Sequence, residues 1–168
     1  VAEGMVLEGF AITRAVHDRY HAARRNPFNE IECSDHYARA MASYGTFISA
    51  CGFEAHGPSG RIGFAPRLTP ENFRAPFTAA GGWGTYEQQR AGRTQFHSLT
   101  VKHGNVRVRT LAVELAGGAN VSSVTAVIGE RILPAKVTQD GSRVEVKFDQ
   151  IQLLTTKAKL EISIALLA

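Results

Sequence analysis

The chain has 168 residues, is 44% hydrophobic and 20% charged, and carries a net charge of +4, a composition that suits one ordinary globular unit or two small ones. The basic residues are scattered, with no run longer than Arg24-Arg25, so no nucleic-acid footprint is expected. No run of about 18 apolar residues offers a transmembrane helix, and "VAEGMVLEGF" lacks the basic start and apolar run of a signal peptide, which favours a cytoplasmic location.

In chain order, the first expected element is a helix over Met5 to Ala23. Val6, Phe10, Thr13, Val16 and Tyr20 repeat every three to four residues, and Pro27 stops the run. A second helix is expected from about Asp35 to Cys51, with Ser34 as N-cap and Gly52 just past its end. No charged residue falls between Ala40 and Phe53. A helix apolar all round is buried on more than one side, so this one expects neighbours.

Cys33 and Cys51 are the two cysteines. A single helix rising about 1.5 Å per residue would hold them roughly 27 Å apart, beyond the ~7 Å reach of a disulfide. Cys33-x-x-His36 has half the spacing of a metal site, but no second pair follows, so a packed thiol beside a polar histidine is expected and no metal or other cofactor.

From Glu54 to about Gln89 the periodicity fades, apart from a short strand over Arg61 to Ala65, with Arg61 and Arg67 placed to pair with Glu54 or Glu71. Beyond Gly92 the period becomes two. Val106 and Val108, then Leu111, Val113 and Leu115, alternate across a bulge. Val124 to Ile128, Ile132 to Thr138, Arg143 to Phe148 and Leu160 to Leu166 follow as strands, with Asp140-Gly141 as a hairpin turn. The join between a helical part, 1–90, and an antiparallel β part, 91–168, falls near Gln88 to Arg93.

Five ionisable side chains, Glu30, Glu32, Asp35, His36 and Arg39, crowd the start of the uncharged helix. Three readings stay open. Asp35 and Arg39, four apart, can form a salt bridge that caps the helix. Glu30 and Glu32 can accept hydrogen bonds from sugar hydroxyls, with Arg39 as a donor. A catalytic carboxylate pair is geometrically poor, because Glu30 and Glu32 on one extended segment point the same way while glycosidase carboxylates flank the scissile bond. Trp83, the single tryptophan, can stack on a sugar ring or anchor a loop against the core.

"NPFNEIECSDHYARAMASYG", "ACGFEAHGP" and "GRIGFAPRLTPENFRAPFTAAGGWGTYEQ" together resemble the C-terminal end of glycoside hydrolase family 116, the non-lysosomal glucosylceramidases and related bacterial β-glucosidases. The resemblance covers about Met5 to Gln88. It implies an α+β chain in which residues 1–90 form C-terminal helices of an (α/α)6 barrel catalytic domain and residues 91–168 a small antiparallel β-sandwich-like domain. The implied activity is retaining hydrolysis of a β-glucoside or a glucosylceramide-type substrate. The family places a Glu and, nine residues on, an Arg in its glucose subsite, and Glu30 and Arg39 have that spacing. Glu32, Asp35 and His36 would either orient them or serve as packing and capping residues. The family's Glu nucleophile and Asp acid/base lie upstream of this motif. The chain, which does not begin with Met, is therefore expected to be an inactive C-terminal part whose partner is the missing N-terminal part of the same polypeptide. The alternative expectation is a non-catalytic carbohydrate-binding or structural module.

Overall fold

The computed structural model describes residues 1–19, 23 and 37–167, apart from the side chains of 37–40. Among these residues there are two helices, α1 (Val6–His17) and α2 (Tyr37–Cys51), and ten strands. The strands are β1 (Glu54–His56), β2 (Arg61–Gly63), β3 (Asn72–Ala79), β4 (Gly82–Ala91), β5 (Thr94–Glu114), β6 (Val121–Ile128), β7 (Arg131–Ile132), β8 (Ala135–Asp140), β9 (Arg143–Thr155) and β10 (Leu160–Leu166).

This is a mostly β fold, and the (α/α)6 barrel implied for residues 1–90 is not formed. The reason is visible residue by residue in β3. Phe73, Ala75 and Phe77 are buried while Asn72, Arg74 and Pro76 are exposed, a period of two that a strand satisfies and a helix does not. β4 then turns back and pairs antiparallel with β3. It continues into β5 through the two-residue loop Gly92-Arg93, with Gly92 at φ 56° and Ala91 opposite Thr94. The strands on either side of residue 91 therefore belong to one sheet.

The strands form one continuous mixed network that folds into two layers. The front layer runs β3-β4-β5-β10-β6-β7, antiparallel throughout. The back layer runs β1-β2-β5-β9-β8, with β2 parallel to β5. β5 belongs to both. Its first half pairs with β4 and β10, and its second half with β2 and β9. Between the halves sits Gly104 at φ 69°, where an added Cβ would collide with the carbonyl of Gly81. The bend folds β5 back over itself, so that the Gln95 side-chain amide donates to the backbone oxygen of Glu114 at 2.8 Å.

The core fills the space between the layers. Phe64, just after β2, stacks flat on Tyr86 of β4, with ring centroids 3.7 Å apart. Leu99, Val101, Val108, Leu111, Val144, Val146, Phe148, Leu160, Ile162 and Ile164 surround that pair. The Asp140-Gly141 hairpin expected from the sequence is present, with Asp140 opposite Arg143. Arg61 reaches Glu54 and Glu145, and Arg143 reaches Glu54 at 3.1 Å, which lashes the short β1–β2 hairpin to β9. Burial works against the charge on Glu54, but the hydrogen bond from Arg61 and the charge of Arg143 leave its carboxyl below the usual range. Glu71 pairs with Arg90 instead.

The C-terminus of α2 docks on this sandwich. Gly52 N donates to Ser49 O and Phe53 N to Ile48 O, with Gly52 at φ 55°, the paired bonds of a Schellman cap. Ala65 N and Arg67 N then donate to Cys51 O and Ala50 O. Burial pushes the Cys51 thiol up to about 11, so it stays a neutral packing group. The expected all-round burial of this helix is confined to its end: Ala50 and Cys51 are buried, while Met41 and Tyr44 are exposed. α1 buries no residue, and it ends at His17 rather than at Ala23. No helix among the described residues is long and apolar enough to cross a membrane.

Replacing Gly104 tests the bend. Gly104→Ala places a Cβ at positive φ against Gly81 and should cost about 2–3 kcal/mol in a urea melt. Gly117→Ala meets nothing within 4 Å and should stay within about 0.5 kcal/mol of the parent.

Candidate functional site

Outward side chains of the front layer line a groove of about 520 Å³. Strand alternation selects them, and register brings them side by side. One row runs Arg74, Glu87, Ser98, Glu161 and Val127 across β3, β4, β5, β10 and β6. The adjacent row runs Asn72, Gln89, Phe96, Ser163 and Thr125. Phe96 is 45% exposed and stands in the middle strand of its row, flanked by an amide and a hydroxyl.

The charges of the groove are paired within it. Arg74 Nε lies 3.1 Å from Glu87 Oε1, and Lys159 Nζ lies 2.6 Å from Glu161 Oε1. Ser98 Oγ donates to the other oxygen of Glu87 at 3.1 Å. Two cations and two carboxylates thus cancel. The four charged side chains remain exposed, so the groove presents Phe96 among hydroxyls, amides and ion pairs with no net charge, groups that can meet a hydroxyl-rich ligand with an apolar face. Glu87 and Glu161 rise from the same side of one sheet, so a ligand meets both from below. A glycosidase pair flanks the scissile bond instead.

Behind the groove lies a buried polar cluster that orders β4 against β5. Gln88 Nε2 donates to Pro70 O at 2.8 Å, which turns Gln88 Oε1 toward the Tyr86 hydroxyl. Tyr86 spends its single proton on that oxygen at 2.8 Å. The 2.7 Å contact between Tyr86 and His97 then requires His97 Nδ1–H to donate. This fixes the tautomer and leaves His97 Nε2 as a buried lone pair with no partner among the described residues. Burial, helped by the charge of Arg90, pushes His97 down to about 3. Burial also pushes the Tyr86 hydroxyl up.

The residues singled out from the sequence fare differently. Glu30, Glu32 and His36 lie outside the described residues, as does Cys33. Arg39 falls in α2, where its side chain is not described. Trp83 sits on β4, on the same outward face as Glu87, and is 49% exposed. It is not a core anchor. Its indole runs beside the His103 ring at 6.5 Å and 22°. No three metal-ligating side chains gather among the described residues. Phe96, Glu161 and Ser163 did not stand out in the sequence. The period-two run of Thr94 to Val101 could have located Phe96, had buried Gln95 and His97 not disguised it, and the alternation of Leu160 to Leu166 already places Glu161 and Ser163 on its other face.

A second recess, of about 650 Å³, lies beside the β5 bend between His56, Thr78 and Asn105. Of its two lining cations, Arg61 is committed to Glu54 and Glu145, while Arg107 stands on the second half of β5. No family model matches the sequence, and no curated protein matches it.

His97 makes stability depend on pH. The unfolded chain accepts a proton near pH 6.5 that the folded chain refuses until about pH 3. Stability is therefore full above about pH 6.5 and falls as pH drops toward 3, by up to ~1.4 kcal/mol per unit. Chemical denaturation between pH 7 and pH 4 should show this slope, and His97→Asn should flatten it.

Proposed function

We propose that this chain is a non-catalytic, saccharide-binding part of a glycoside hydrolase of the β-glucosidase or glucosylceramidase type. The observation that carries the reading is the charge-paired groove, with Phe96 exposed between Gln89 and Ser163. A pyranose has one apolar face and a rim of hydroxyls. It can lay the first on the phenyl ring and direct the second at the amides, hydroxyls and carboxylates around it. The pairing of Arg74 with Glu87 and of Lys159 with Glu161 leaves the groove without net charge to select a charged ligand.

The resemblance of residues 5–88 to family 116 supports the glycosidase setting. In that setting Glu30 and Arg39, oriented by Glu32 and His36, contribute glucose contacts to a catalytic pocket, and the nucleophile and acid/base are carried outside this chain. Exposed Leu7 and Ile12 of α1 and Met41 of α2 are available for contact with that catalytic body.

Two assays on the chain test the reading. Titration with methyl β-glucoside, followed by NMR, should give saturable binding, weakened about tenfold (~1.4 kcal/mol) by Phe96→Ala. An aryl β-glucoside should not be hydrolysed. Absence of binding contradicts the reading, as does turnover lost on Glu87→Gln or Glu161→Gln.

A further inference from the structure

We propose that the outward face of the front layer is a track for an extended neutral oligosaccharide, with Phe96 and Trp83 as stacking platforms at its two ends. This rests on the saccharide-binding reading above and adds chain length to it.

The two aromatic residues share a face. Trp83 has the same parity on β4 as Glu87 and Gln89, and Gln89 is the cross-strand partner of Phe96. The six steps along β4 from Trp83 to Gln89, at ~3.3 Å each, place the two rings about 20 Å apart along the strands. One pyranose cannot touch both, whereas a chain of several can. Between them β4 presents Thr85 and Glu87 outward, repeating about every 7 Å, opposite Thr100 and Ser98 of β5. These are hydrogen-bonding groups at a fixed spacing on a rigid strand.

The Trp83 end is built as a platform. Trp83 lies opposite His103, whereas Gly84 lies opposite Val101, so Lys102 is the extra residue of a bulge. A bulge re-aims side chains, and here the His103 ring comes to lie beside the indole, within 22° of parallel. On the other flank Trp83 faces Thr78, whose hydroxyl is within 2.9 Å of the Tyr44 hydroxyl of α2. The indole therefore stands between two supported neighbours while half its surface stays open. Lys102 adds one cation at this margin, too little to attract a polyanion once Arg74 and Lys159 are paired.

The test is a length series of β-1,4-linked glucose oligomers, from disaccharide to hexasaccharide, titrated calorimetrically into the chain. Affinity should rise about tenfold or more across the series. Trp83→Ala should abolish that rise yet leave disaccharide affinity within about twofold, and Trp83→Tyr, which keeps a ring, should restore it. Equal affinity at every length, or an equal loss at every length in Trp83→Ala, would overturn the track and leave the Phe96 site standing. No binding at any length would overturn both. A concentration-dependent dimer abolished by Trp83→Ala in sedimentation would also overturn it, because the face would then be an interface between copies.

Discussion

The fold-back of β5 at Gly104 is the constraint on which the rest of the structure depends. One strand supplies the centre of both layers, so the layers cannot slide independently. The bend sets Gln95 over Glu114 and thereby the spacing into which Phe64 and Tyr86 stack. It also accounts for the glycines around it. The β3–β4 turn leans on the bend, with Asn105 N donating to Gly81 O, and a Cβ at Gly81, Gly82 or Gly104 would meet backbone there. Only a residue free of Cβ tolerates both the left-handed φ of Gly104 and that approach.

The same geometry decides what the outer face can be. On the inner face of β4 and β5, Gln88 and His97 bond to Tyr86, and Gln95 bonds to Arg90 and the Glu114 backbone, each side-chain polar group except His97 Nε2 finding a partner among the described residues. Buried networks of this kind fix register, because a slip of one residue would expose the whole set and leave its partners unsatisfied. Register, in turn, puts Phe96 and Trp83 outward. An exposed ring on a strand whose inner positions are polar is the reverse of the ordinary pattern. That inversion is why the face reads as a binding surface rather than as an uncovered core.

Sequence reasoning recovered the parts of the fold where hydrophobicity follows burial. The alternation of Val106 to Leu115, the Asp140-Gly141 hairpin, the last strand, the Gly52 cap and the Arg61–Glu54 pair all follow from local chemistry. It failed over residues 72–101. β3 carries Pro76, which an edge strand tolerates. Inward Gln88, Gln95 and His97 with outward Phe96 and Trp83 inverted the periodic signal. The resemblance to an (α/α)6 enzyme then drew the whole of 1–90 toward helices, against the alternation of Phe73, Ala75 and Phe77. Of the sugar-contact residues it implied, Glu30, Glu32 and His36 fall outside the described residues and Arg39 is placed only by its backbone. Trp83, read as either a sugar platform or a loop anchor, stands exposed on the groove face.

The most direct test of the central claim, that the front layer of this chain carries a sugar site of its own, is an amide chemical-shift map with cellobiose. The account predicts perturbations clustered at residues 72–74, 87–89, 96–98 and 161–163, four segments brought together by strand register alone. Perturbations confined to the start of α2, or scattered without saturation, would contradict it.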